Sequence, residues 1–473
     1  MTIRYPPHHP ARWAALLCLC ASWARADAEP GLDAPAVDTA SVDRVVAEWL
    51  ASTGAPSVSI AIVRDDRLAY AQAYGDARLN PKVPSTGATR YPIDSVSKEF
   101  TAAAILLLAE QGKLSLDDPV GKWFPELHEA AAVTLRQLLT HTSGIRDYWP
   151  QDFLTPEMTR PTTPAAIIQE WAQRPLDFEP GTDWQYSNTG YVLAGAVVEK
   201  VSGRPLFEFL SRYVFGPLHM TQVTEYSPTG AAGRVAGGDA AGYTRYGLGP
   251  VVPAPKEGSG WLFGAANLAM RPSDLALWDS SLIDRSLLKA ESYKREFEPV
   301  VLKSGRTEDY GLGLDVASIG GRLRIGHAGG GSGFLADNRL WPRERTAIVV
   351  LTNNDWADPS ALTDRIAFIV LPPTPEEARV RQLFQAFQEG RVDRALFSSV
   401  GNFYLTAAAL VDLKSSLSPL GPPRLIELEH ETRRGGMTTR RWKILCPGAR
   451  LEAIERSHPD GKIDEFMIAK KED

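Results

Sequence analysis

Ser95 and Lys98 stand three residues apart in Ser95-Val96-Ser97-Lys98, directly ahead of the apolar run Phe100 to Glu110 (FTAAAILLLAE). Residues three apart share a face in one helical turn, so the lysine amine can reach the serine hydroxyl. That hydroxyl is a weak nucleophile needing an adjacent base, and a partly desolvated lysine that loses its charge can serve. The positive end of a helix also favours negative charge developing beside it. The tetrapeptide alone says little, because Ser286-Leu287-Leu288-Lys289 shows the same pattern with no supporting context.

Two further segments could complete such a site. Tyr186-Ser187-Asn188 precedes the apolar stretch Tyr191 to Val201, and a tyrosine and an asparagine two apart on a turn can both face a cleft. Tyr186 could share the Ser95 proton or deliver it to a leaving group, and Asn188 could hold Lys98 and a substrate amide. A solvated turn would suit the same residues. His327-Ala328-Gly329-Gly330-Gly331-Ser332-Gly333 lies between strand-like segments. Its glycines allow a substrate backbone close to a strand edge, and an exposed N–H there could pair with that of Ser95 as an oxyanion hole. Alone, it could equally be a flexible hairpin turn.

The elements that must position these residues alternate in type. Val45 to Leu50 reads as part of a first helix, and Val58 to Arg64 with Leu68 to Tyr74 as a hairpin around Asp65-Asp66-Arg67. Phe100 to Glu110 is apolar nearly all round and predicts a core helix stopped by Gln111-Gly112. Leu135 to Leu139, Ala165 to Ala172, Tyr191 to Val201 and Asp274 to Leu282 are also helical in pattern, with Ser273 as an expected N-cap for the last. Strands return at Leu323 to Ile325, Phe334 to Trp341 and Thr346 to Thr352. Strands at both ends of a helical middle predict an α+β fold whose sheet is assembled from both ends of the domain. Residues 226–260, rich in Gly and Pro, predict a long surface loop, and loops 146–160 and 226–260 would shape the pocket.

A boundary is expected near Leu371-Pro372-Pro373-Thr374-Pro375. Beyond it, helices at Glu376 to Gln388 and Ala407 to Ser416 precede four strand patterns: Arg424 to Glu431, Thr438 to Cys446, Arg450 to Ser457 and Lys462 to Ala469. Gly435-Gly436 and Asp460-Gly461 mark hairpin turns. The reading is a domain over 41–372 and a small α+β domain over 376–473. Arg433, Arg434, Arg440, Arg441 and Lys443 cluster around one hairpin of the latter and read as a solvated strand face.

The first 26 residues read as an export signal: Arg4 and Arg12, then a short apolar run from Ala14 to Ala21, then Ala24-Arg25-Ala26 as a cleavage pattern. Residues 27–40 read as a linker. The run is too short to span a bilayer, so an exported mature chain without an integral membrane segment is expected, periplasmic or secreted. Removing Arg4, Arg12 and Arg25 with no acid takes the formal charge from −6 to −9, a poor prospect for nucleic acid or anionic membranes. Cys446 would be the one remaining thiol, so no internal disulfide is expected. Eight histidines without a ligand cluster argue against a metal site, and no cofactor is implied.

In order, S-x-x-K, Y-x-N and H-x-G resemble the active-site set of the serine β-lactamase and penicillin-binding protein superfamily, in its class C-like branch. That branch includes esterases, D-aminopeptidases and D-alanyl-D-alanine carboxypeptidases. Leu108 to Pro125 (LAEQGKLSLDDPVGKWFP), Leu138 to Ile145 (LLTHTSGI), Pro180 to Gly190 (PGTDWQYSNTG) and Gly264 to Trp278 (GAANLAMRPSDLALW) are similar to the same family. The resemblance covers roughly residues 40–370 and implies a β-lactamase-like fold, an antiparallel sheet flanked by a helical subdomain.

The resemblance implies that Ser95 forms the acyl-enzyme, with Lys98 and Tyr186 exchanging its proton, and that Asn188 orients Lys98 and the acyl group. It further implies an oxyanion hole from the N–H groups of Ser95 and Gly330, with His327 and Gly329 on the substrate strand. His141 reads as a structural turn residue, and Arg146, Tyr148 and Trp149 could line the pocket. One departure matters: most members carry a lysine and then a hydroxyl residue where this chain has His327-Ala328. Histidine is largely neutral near pH 7 and Ala328 has no side-chain donor, so efficient β-lactam hydrolysis is not expected. The C-terminal region loosely resembles the cone-shaped nuclear-transport-factor-2-like folds.

The expected function is an exported serine hydrolase acting on small esters, amides or peptides, cell-wall-derived peptides among them. A β-lactamase or D-alanyl-D-alanine carboxypeptidase is the alternative within the enzyme class. A non-catalytic peptidoglycan-binding or scaffolding protein is the alternative outside it. The sequence leaves oligomeric state open.

Overall fold

Ser57–Arg64 is buried along all but its last residue and Thr346–Thr352 throughout, as befits neighbouring central strands covered on both faces. In the computed structural model, which describes residues 37–151, 153–226, 239–319 and 321–471, these two strands pair antiparallel from Val58–Thr352 to Arg64–Thr346. They form the middle of a seven-stranded antiparallel sheet. On one side follow Phe334–Trp341, Arg322–Gly331 and Asp315–Ile319; on the other, Arg67–Leu79 and Lys82–Pro84. The sheet is thus built from both ends of the region, and the fold is α+β.

Strand alternation divides the core in two. Ala61, Val63, Ala336, Leu340, Val349 and Leu351 face the helices Ser97–Glu110, Asn188–Ser202 and Pro272–Asp284 in one large apolar cluster. Ile60, Ile62, Ile348, Val350 and Trp341 face the helices Thr39–Thr53 and Pro359–Val370 in a second. Ser97–Glu110 is buried on almost every side, the reason its sequence is apolar all round.

Several boundaries differ from the sequence reading. The export signal 1–26, the linker over 27–36 and residues 227–238 lie outside the described residues. The first helix starts at Thr39, capped by the Asp38 side chain on the Ser41 N–H, so it takes in the end of the expected linker. Ser273 is not an N-cap: Pro272 occupies the first helical position, where its missing N–H costs nothing, and Arg271 precedes it. Leu323 to Ile325 lies at the start of a longer strand, Arg322–Gly331, so the glycine-rich segment is strand up to Gly331. Asp315–Ile319, which pairs along its whole length with residues 322–326, was not anticipated. Within 239–260 the expected loop holds a short pairing of Tyr243–Thr244 with Val252–Pro253.

In the C-terminal region, Pro375–Gln388 and Ala407–Leu417 are helical, with a short helix Ser399–Tyr404 between them. A four-stranded antiparallel meander follows: Leu425–Arg434, Met437–Cys446, Ala449–Ser457 and Ile463–Lys470. Gly435 and Gly436 both adopt positive φ, as the two-residue turn between Arg434 and Met437 requires. Val380, Phe384, Phe387, Trp442 and Ile444 centre an apolar cluster of this region's own. Its basic hairpin is largely paired: Arg440 with Glu431 at 2.9 Å, Arg441 with Glu452 at 3.5 Å, and Lys443 with Glu427 at 2.9 Å. Cys446 is buried and unpaired.

Behind the Ser97–Glu110 helix lies an unusual group of buried acids. Glu99 accepts from Trp278 Nε1 at 2.5 Å, and Asn338 Nδ2 reaches both Glu99 at 3.3 Å and Asp279 at 2.9 Å. Burial raises the Asp279 carboxyl to about 8, and Glu99 and Glu296 are raised as well. The folded state therefore holds a proton on Asp279 that the unfolded chain has released above about pH 4. Stability falls as pH rises between those limits, by up to about 1.4 kcal/mol per pH unit for one proton. Asp279→Asn should flatten this slope, with a higher Tm than the parent at pH 8 and little change at pH 4. Equal Tm differences at both pH values would contradict this.

Candidate active site

Ser95 sits in a single 3-10 turn, Asp94–Val96, that leads directly into the Ser97–Glu110 helix. Its neighbours from Tyr91 to Phe100 are buried while Ser95 itself keeps partial exposure, so the hydroxyl is the one reachable group there. Asp94, the first residue of that turn, holds a positive φ of 45°, a strained backbone for a residue other than glycine. Lys98, fully buried, places its Nζ 2.9 Å from Ser95 Oγ, 2.9 Å from Asn188 Oδ1 and 3.0 Å from the Ala265 carbonyl. Burial lowers this amine to about 7 against the opposing pull of Asp147 and Asp94. As a neutral amine it donates its two N–H bonds to Asn188 and Ala265, and its lone pair is left for the Ser95 hydroxyl.

The Asn188 amide is held in one orientation. Its Nδ2 lies 3.1 Å from Asp147 Oδ2, and its backbone N–H donates to Asp147 Oδ1 at 3.1 Å. Asp147 Oδ1 also accepts from the Trp149 N–H at 3.1 Å, so the carboxyl is the acceptor and Oδ1 of Asn188 must face Lys98. Tyr186 hydrogen-bonds Ser95, and its ring lies 4.8 Å from Lys98 Nζ. Burial drives its phenol far above the ordinary range, outweighing that hydrogen bond, so the group remains a phenol.

His327 is 6% exposed, and both ring nitrogens are occupied by protein groups. Nδ1 lies 2.5 Å from the Ala328 carbonyl, which can only accept, so Nδ1 carries the proton. Nε2 then accepts from Tyr310 Oη at 2.9 Å. Tyr310 Oη in turn receives the Nε2–H of His141 at 3.2 Å, and His141 Nδ1 accepts the Ser187 N–H at 3.0 Å. One directed chain thus runs from the Tyr186–Asn188 turn through His141 and Tyr310 to the strand bearing His327. Burial first, and then the Lys98 charge, hold His327 to about 3 and keep His141 below its ordinary range. Both rings are neutral.

The strand Arg322–Gly331 pairs with Phe334–Trp341 from Ile325 to Gly331, while its pairing with Asp315–Ile319 ends at Gly326. From His327 onward one edge is left for the site. Gly329 is buried. A Cβ there would lie 2.2 Å from the Ile93 carbonyl, so glycine is required for the strand to pack on the turn that carries Ser95. Gly330 is exposed beside it.

The site therefore brings together Ser95, Lys98, Tyr186, Asn188 and the His327–Gly330 strand, and leaves others out. Arg146 turns to the surface and pairs with Asp177 at 2.7 Å. Tyr148 is buried with its hydroxyl on the Trp261 carbonyl and so does not present it to the pocket, and Trp149 is partly buried against the large core. Ser286 and Lys289 are exposed at the far end of the Pro272–Asp284 helix. Sequence reasoning missed Asp147 and Tyr310. Asp147 carried a signal, an acid among Arg146, Tyr148 and Trp149 in a segment already singled out; Tyr310 belongs to no motif. Among the described residues no group of three or more His, Cys, Asp or Glu side chains could hold a metal ion.

Residues 42–370 match the family model described as Beta-lactamase. The chain belongs to the beta-lactamase family. Among relatives of this family, penicillin-binding protein 4* of Bacillus subtilis is 30% identical over 298 residues, 60% of this chain and 65% of that one. A D-aminopeptidase of Brucella anthropi is 27% identical over 318 residues, 67% of this chain and 59% of the relative. The chain thus spans about three fifths to two thirds of the length of these relatives. Of solved structures, a D-stereospecific amidohydrolase from Streptomyces is similar with a TM-score of 0.58 at 26% identity, over 69% of this chain and 98% of that one. An octameric penicillin-binding protein homologue from Pyrococcus abyssi shares the fold with a TM-score of 0.63 at 23% identity, over 92% of this chain and 97% of that chain. The last likeness extends beyond the family match into the C-terminal region. No helix among the described residues is long and apolar enough to cross a membrane.

Proposed function

We propose that this beta-lactamase family member is an exported serine hydrolase that cleaves small ester, amide or peptide substrates through an acyl-enzyme on Ser95. The observation that carries the reading is the buried Lys98 amine, 2.9 Å from Ser95 Oγ and lowered to about 7. In acylation Lys98 takes the hydroxyl proton as Oγ attacks the substrate carbonyl carbon. The N–H groups of Ser95 and Gly330 receive the oxyanion, and Tyr186 passes a proton to the leaving group as its bond breaks. Water then attacks the ester by the same route in reverse, releasing the acid and restoring Ser95. Asn188 keeps Lys98 in line and offers its amide to the acyl group. On this reading residues 1–26 are a cleaved signal, 41–372 are the catalytic domain, and 376–473 are a small separate domain.

The state of His327 favours esters and amides over β-lactams. A neutral ring whose two nitrogens are already taken offers no charge to a substrate carboxylate. Turnover of D-aminoacyl amides or p-nitrophenyl esters, with nitrocefin hydrolysis at least a hundredfold slower, is the expected outcome of a substrate panel. Rapid nitrocefin turnover would reverse that preference. Tyr310→Phe tests the His141–Tyr310–His327 chain: kcat should fall about tenfold, or ~1.4 kcal/mol, while Tm shifts by only a few degrees. An unchanged kcat would reduce the chain to a packing feature.

A further inference from the structure

On the face of the sheet opposite Ser95, a cavity of about 90 Å³ opens where the start of the strand Arg322–Gly331 meets the helices Pro359–Val370 and Pro375–Gln388 and the strand Leu425–Arg434. Most of its wall is apolar, with Trp341, Phe368 and Leu371 prominent. Arg324 enters from the sheet and Arg381 from the C-terminal region.

The acids in this wall are already matched. Asp364 is held by Arg339 at 2.6 Å, Glu377 by Arg322 at 2.8 Å, and Glu427 by Lys443 at 2.9 Å. Arg324 and Arg381 differ: neither forms an ion pair or donates a hydrogen bond among the described residues. Arg381 Nε is buried without a partner, and its guanidinium lies 4.3 Å from the centre of the Phe368 ring. Arg324 is partly buried, with Arg339 as well as Asp315, Asp337 and Asp364 in its field. A desolvated donor without an acceptor costs free energy, and a guanidinium fork is shaped to receive a carboxylate. The space corresponds to roughly three water molecules of liquid volume.

We propose that this junction cavity binds a small monocarboxylate with an apolar body. Its carboxyl group accepts hydrogen bonds from Arg324 and Arg381, and its body lies on Phe368, Leu371 and Trp341. The apolar wall, and the three acids that would repel a second negative charge, select a carboxylate over phosphate. Occupancy ties the C-terminal region to the strand that carries Gly330. The site is independent of the reaction proposed for Ser95.

Isothermal titration of the full chain at constant ionic strength, with sodium butyrate, 1-butanol and inorganic phosphate, tests it. Saturable binding of butyrate alone is expected, at least tenfold weaker in Arg324→Met and Arg381→Met. Ala367→Phe fills the cavity from a third wall, keeps both arginines and should also abolish binding. Absence of butyrate binding, binding as tight as the parent's in the arginine variants, or phosphate binding without butyrate would overturn the proposal. If the variants do not fold, a crystal of the parent chain soaked in butyrate decides it: density between Arg324 and Arg381 supports the site, and butyrate found only at Ser95 overturns it.

Discussion

Lys98→Met is expected to lower kcat/KM for any ester or amide substrate by about a thousandfold, near 4 kcal/mol of transition-state stabilisation. The substitution keeps the length of the side chain and removes the amine that lies 2.9 Å from Ser95 Oγ. Its effect on folding should be small, because two terms oppose each other. The amine is lowered to about 7 in the folded chain from an ordinary 10.5. The unfolded chain therefore binds the extra proton between those values, and folding with lysine at this position is penalised most at and below pH 7. Methionine removes that penalty but leaves Asn188 Oδ1 and the Ala265 carbonyl without a donor. A Tm within a few degrees of the parent is the expected result. The same amine sets the pH profile: kcat/KM should rise tenfold per pH unit up to about pH 7 and then level. A profile flat from pH 5 to 8, or a Lys98→Met variant within tenfold of the parent, would remove lysine as the base.

Tyr186→Phe should separate substrates by leaving group. A phenol kept protonated by burial can give a proton to a departing amine, which cannot leave as an anion. Amide hydrolysis is therefore expected to fall at least a hundredfold, about 2.7 kcal/mol. The burst of p-nitrophenolate from p-nitrophenyl esters, which reports acylation alone, should stay within about tenfold, because that leaving group needs no proton. Parallel assays on one variant preparation give the ratio. Equal losses on both substrates would assign Tyr186 to positioning alone.

The parts of this site that the sequence made legible are those fixed by local spacing. Ser95 and Lys98 share a helical turn, Tyr186 and Asn188 share a loop, and glycines mark the strand that must approach Ser95 closely. Each of these is a statement about residues within a few positions of one another. What escaped was long-range. Tyr310 reaches His327 and His141 across 17 and 169 positions, and no pattern along the chain joins them. His327 was read as a substrate group from its place in H-x-G, and the fold turned both its nitrogens inward. Gly329 is expected on the substrate strand, and the fold adds a long-range reason for glycine there, the close approach of the Ile93 carbonyl. In the sheet, buried runs such as Thr346–Thr352 were plain from composition, whereas Asp315–Ile319, short and mixed in burial, was not. Ser273 had the right chemistry for a cap but stood one position too late, behind a proline already suited to the first turn.

Intact-mass spectrometry with a fluorophosphonate tests the central claim most directly. One adduct on the parent chain, mapped to Ser95 and absent from Ser95→Ala, is the predicted result, with labelling that slows as pH falls below 7. No adduct on the parent, or equal labelling of Ser95→Ala, would contradict the assignment of Ser95 as the nucleophile.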